Sequence, residues 1–189
     1  MVSHGLSTGL LFLLVGMLYE RRHTRALDQF GGLAAVLPGF AFFWVLAVLS
    51  SVGLPGLNGF VGEYLILLGA SEASPFWCAV GVTGVIFGAV YLLSATRRML
   101  FGPIHHEENR QLQDLNRREI GLMLPIVALI FWIGVAPTPF LEKSAPALDT
   151  IVERLEHARH RLALGTEMGA APQVTALEAS PTPFHGDDR

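Results

Sequence analysis

Hydrophobic and polar positions in this chain fall into long blocks. Residues 1–19, 29–62, 73–96 and 120–141 contain no Asp, Glu, Lys or Arg, and every charge lies between or after them. A soluble helix keeps a polar face, and charge-free runs of this length leave none. About 20 apolar residues of helix cross a bilayer. The pattern therefore predicts an all-α membrane protein of about four transmembrane helices, one of them discontinuous.

The predicted spans are 2–19, 38–70, 76–98 and 119–141. The first ends at Glu20-Arg21-Arg22. It would rise about 27 Å, just under the hydrocarbon thickness of about 30 Å. A signal peptide carries its positive charge ahead of the apolar core. Here the charge follows it, so the segment is expected to be the end of a longer membrane helix and the chain a fragment or a truncated reading frame. The second run would make a helix of about 50 Å, too long for one straight span. Leu54-Pro55-Gly56-Leu57-Asn58-Gly59 interrupts it. Proline removes a backbone donor and glycine loosens the chain, so a break near 54–59 is expected. Unpaired backbone at that depth is tolerated only inside protein or beside water, a device found at ion sites in transporters. Pro125 should kink the fourth span.

Residues 1–145 thus form the expected membrane domain. In 146–164, Leu148, Ile151, Val152, Leu155 and Leu162 share one helical face and charged residues fill the other. This fits an amphipathic helix on the membrane surface or an ordinary exposed or subunit-contact helix. Residues 165–189 lack an apolar pattern and are expected to be a disordered tail.

Composition changes the picture little. A hydrophobic fraction of 51% would fit a rich globular core; the placement of the charges is what excludes an ordinary soluble enzyme. A net charge of −3 with no pooled basic patch argues against a nucleic-acid partner. The single Cys78 permits no intrachain disulfide. The loops 20–28 and 97–119 carry Arg21, Arg22, Arg25, Arg97, Arg98, Arg110, Arg117 and Arg118, whereas the connector 71–75 has one acid and no base. The excess of arginine predicts that both loops of this multi-pass membrane protein face the cytoplasm.

Glu63 is the residue with the clearest chemical implication. It follows the longest charge-free run and precedes Tyr64-Leu65-Ile66-Leu67-Leu68. A carboxylate at mid-bilayer costs roughly 2.5–3.5 kcal/mol on insertion scales, so its presence points to proton transfer. The competing position is near the far interface, since few residues remain before Ser71. His4, among Ser3, Gly5, Ser7 and Thr8, is a second relay candidate or simply a polar helix start. His105-His106-Glu107-Glu108 lacks a chelating spacing, and His157 and His160 fall on a solvated face, so no metal site is expected. Without a Gly-rich phosphate loop, a Ser-His-Asp set or CxxC, no cofactor chemistry is expected in this chain.

His4-Gly5-Leu6-Ser7, Leu18-Tyr19-Glu20-Arg21-Arg22-His23-Thr24-Arg25, Gly31-Gly32-Leu33 and Gly53-Leu54-Pro55-Gly56-Leu57-Asn58-Gly59-Phe60-Val61-Gly62-Glu63 together resemble the M-subunit family of proton-pumping NADH-quinone oxidoreductase, respiratory complex I. That family has fourteen membrane helices including two inverted five-helix repeats, and this chain resembles the last four. The resemblance implies that His4 corresponds to the family's helix-eleven histidine and Glu63 to its helix-twelve proton-exit carboxylate. It implies that NADH, FMN, iron–sulfur clusters and quinone belong to partner subunits, with L-type and N-type antiporter-like subunits as neighbours in the bilayer. Those relatives typically carry Lys at the position of Glu63. The first repeat is missing, so a complete proton path is not expected within this chain. A cation/proton antiporter subunit and a subunit of a membrane-bound hydrogenase complex are the alternatives.

Overall fold

The computed structural model describes residues 1–169. Among them every regular element is helical. The helices are α1 (Val2–Arg22), α2 (Leu33–Val36), α3 (Pro38–Ser51), α4 (Asn58–Ala73), α5 (Pro75–Leu100), α6 (Arg117–Val135), α7 (Thr138–Glu142) and α8 (Ala145–Gly169). Among the described residues α1, α5 and α6 are long and apolar enough to cross a membrane, and α3 is a shorter apolar helix.

The chain divides into two units, Met1–Leu141 and Glu142–Arg189. In the first, Leu10 and Leu14 of α1, Leu33 of α2, Phe40, Ala47 and Val48 of α3, Met99 and Leu100 of α5, and Met123 and Ile130 of α6 make one buried core. Much of α5 faces outward instead, with Val80, Ile86, Phe87, Val90 and Tyr91 exposed. Exposed apolar side chains of this type suit a surface covered by lipid or by other membrane helices.

Arginine-bearing loops tie one end of this unit together. Arg21 pairs with Glu119 through Nη1–Oε1 at 2.9 Å and Nη2–Oε2 at 2.7 Å, and its Nε donates to the Gln113 carbonyl at 2.9 Å. Glu119 also completes a capping box with Asn116 at the start of α6. Asp114 accepts from the Gly39 and Phe40 amides at 2.7 and 3.0 Å, supplying the cap that Leu37 cannot give α3. Arg22 pairs with Glu108. Gly31 and Gly32 lie so close to Pro103, Gly102 and Ile104 that a Cβ would meet them at 2.8–2.9 Å. Both arginine-bearing loops therefore lie on the same end.

Several boundaries differ from the sequence expectation. α1 runs three residues past Tyr19, because Arg21 and Arg22 are good helix formers whose charges find partners on the 107–119 segment. α6 passes through Pro125 and stops at Val135, not 141. Pro137 drives the preceding Ala136 out of the helical region, and α7 follows as a separate turn. α8 continues to Gly169, so residues 165–169, expected in the tail, are helical. A lone Gly165 costs about 1 kcal/mol and does not stop a helix that Glu167 and Met168 extend. The rest of the expected tail, 170–189, lies outside the described residues.

Candidate functional site

The long second run becomes two helices, of 14 and 16 residues. These rise about 21 and 24 Å, so neither alone crosses a hydrocarbon layer of about 30 Å. The break is Val52–Leu57. It lies slightly ahead of the expected 54–59, because Asn58 and Gly59 already belong to α4. Gly53 and Gly56 take φ of 80° and 92°, left-handed values that side chains resist. Pro55 between them has no amide hydrogen to continue a helix. The loosened turn pairs part of itself: Leu54 donates to the Leu49 carbonyl and Leu57 to the Leu54 carbonyl, both at 3.0 Å. From Gly39, at the arginine-loop end, to Ser50 is about 17 Å of helix, which puts the break inside the hydrocarbon thickness.

Asn58, fully buried, holds the break in place. Its Nδ2 donates to the Ser3 carbonyl of α1 at 2.9 Å, and its Oδ1 accepts from Ser50 Oγ of α3 at 2.5 Å. Ser7, also buried, donates to the same Ser3 carbonyl at 3.2 Å. Three helices thus share one polar cluster in apolar surroundings. Glycines bring the backbones close: Gly59 lies on the Ser50 carbonyl and Gly134 of α6 on the Gly56–Leu57 backbone, each without room for a Cβ.

Glu63 stands on the second turn of α4, half-buried. Its carboxylate folds back against Gly53, where a Cβ would overlap Oε2. Among the described residues it accepts no hydrogen bond. His4 is exposed on α1, with Thr8 Oγ1 at 3.4 Å from its ring. Its neighbour Ser3 is bonded to Asn58, so His4 sits at the level of the break. Thus the structure brings Glu63 onto the left-handed turn; it does not join His4 to Glu63 by a hydrogen bond. A carboxylate beside loosened backbone can exchange a proton with water or a partner that reaches it.

Sequence reasoning missed the roles of Asn58, Ser50 and Ser3. The signal was there in Asn58, since an amide buried in an apolar run must find partners. Arg21, whose charge orients its loop, is in the structure also a clamp on Glu119 and the Gln113 carbonyl. Among the described residues no three His, Cys, Asp or Glu side chains gather as a metal site.

Residues 1–88, which contain α1, the break and Glu63, match the family described as NADH:quinone oxidoreductase/Mrp antiporter, TM. Relatives extend the likeness well beyond those residues. NADH-quinone oxidoreductase subunit M of Rickettsia conorii is 38% identical over 152 residues, covering 80% of this chain and 31% of that protein. The subunit M of Rhodobacter capsulatus is 35% identical over 176 residues, covering 93% and 33%. Residues 1–88 belong to the NADH:quinone oxidoreductase/Mrp antiporter membrane family. A chain in respiratory complex I from Thermus thermophilus with bound NADH matches with a TM-score of 0.66 at 41% identity, over 71% of this chain and 28% of that one. The chain spans about a third of the length of the curated relatives it matches.

Proposed function

We propose that this chain is a proton-translocating membrane segment of an NADH-quinone oxidoreductase, coupling NADH oxidation and quinone reduction to proton transfer. The observation that carries the reading is the Glu63 carboxylate folded onto the Gly53 turn of a helix broken inside the membrane. Glu63 takes and releases the proton, and His4 is a second relay member reached through water or side chains outside this chain. Electrons do not enter the segment. NADH, FMN, iron–sulfur clusters and quinone are held by partner subunits, and L-type and N-type antiporter-like subunits flank it in a bacterial inner membrane. Similarity to subunit M from Rickettsia and Rhodobacter supports this assignment.

The test is Glu63→Gln in the assembled complex, which keeps shape and hydrogen bonding but cannot ionise. Proton pumping and coupled NADH-quinone turnover should fall about tenfold or more. Glu63→Asp should retain part of both, and His4→Ala should be milder. Assembled Glu63→Gln complex that pumps at the normal rate and proton-to-electron ratio would refute the role.

A further inference from the structure

Where α5 leaves its apolar run, a cavity of about 670 Å³ opens, with Ser94, Arg97, Arg98, His105, Phe30 and Phe101 on its walls. The two guanidiniums are exposed, and among the described residues neither pairs with a carboxylate. Arg21 and Arg22, by contrast, are both committed to ion pairs. Asp28 shares the wall without pairing with either arginine, so the cavity keeps net positive charge. Arg97 and Arg98 directly follow the charge-free residues 73–96, which is the level at which hydrocarbon gives way to headgroups.

Phe101 also lines a second hollow. This is a groove of about 470 Å³ walled by apolar side chains, among them Phe42, Val45, Leu49 and Leu54. A cationic cavity and an apolar groove therefore meet at one aromatic ring. We propose that this pair of hollows binds one anionic phospholipid, its phosphate between Arg97 and Arg98 and an acyl chain along the groove beside Phe42 and Leu49. The arginines supply bidentate donors that match a phosphate. Basic pockets at helix ends select anionic headgroups over zwitterionic ones. A free phosphate would use the cavity alone; the adjoining groove is what favours a lipid. The inference is independent of proton transfer by Glu63.

The test photolabels the full chain in its membrane with phosphatidylglycerol or phosphatidylcholine carrying the same diazirine acyl chain. Labelled peptides are then mapped by mass spectrometry. Phosphatidylglycerol should label the 38–57 and 99–101 segments about fivefold or more above phosphatidylcholine. Arg97→Gln with Arg98→Gln should reduce that label to the phosphatidylcholine level, while Arg97→Lys with Arg98→Lys, which keeps the charge but not the planar fork, should retain only part of it. Excess inorganic phosphate should leave the labelling unchanged. Equal labelling of the unmodified chain by the two lipids overturns the proposal without recourse to any variant. So does unchanged labelling of the Arg97→Gln, Arg98→Gln chain. Loss of label in inorganic phosphate identifies a free-anion site and likewise excludes the lipid.

Discussion

At the scale of single residues, the break rests on one amide and a few absent methyl groups. Asn58→Ala leaves the Ser50 hydroxyl without its buried acceptor and the Ser3 carbonyl with Ser7 as its remaining side-chain donor. A loss of about 1–3 kcal/mol is expected, seen as a lower midpoint in thermal unfolding of the membrane-embedded protein. Gly53 and Gly56 allow a sharper comparison. Both are left-handed, so alanine at either costs about 1–2 kcal/mol of backbone strain. At Gly56 the new Cβ meets nothing within 4 Å; at Gly53 it displaces the Glu63 carboxylate. Gly53→Ala should therefore depress proton-coupled turnover well beyond Gly56→Ala, while the two lower thermal stability alike. Equal loss of turnover would show that the position of the carboxylate against Gly53 is unimportant.

Among elements, the arginine loops act through geometry as much as charge. Arg21 is largely sheltered and spends its donors on Glu119 and on backbone carbonyls. Arg21→Lys keeps the charge but loses the planar fork, and about 1.5–3 kcal/mol of stability should go with it. A double-mutant cycle with Glu119→Gln should return a coupling of similar sign, and no coupling would mean the pair is ornamental. The spans and the break were legible in the sequence because bilayer thickness fixes run length and Pro55 cannot continue a helix. The clamp was not, because Arg21 and Glu119 are 98 residues apart and no periodicity connects them. Glu63 stood out as a charge amid apolar neighbours. Its fold-back onto Gly53 depends on a left-handed turn, and the sequence offers only the glycine that permits it.

Across the whole first unit, both arginine-bearing loops share one end, which makes topology testable. With Cys78 replaced by Ser, a cysteine at the exposed Gln111 should react with an impermeant maleimide only from the cytoplasmic side; reaction from the opposite side would invert the assigned orientation. The two levels of this unit are also held differently. Ion pairs and the Asp114 cap fasten the loop end. The break relies on the Asn58 bonds and glycine contacts. Mechanically this is a cantilever, anchored at its base and compliant further out. Thermal displacement should therefore concentrate around Gly53 and Glu63. In hydrogen exchange, amides of 52–57 should open well before those of Gly39 and Phe40, so that the carboxylate rides on the part of the beam free to bend.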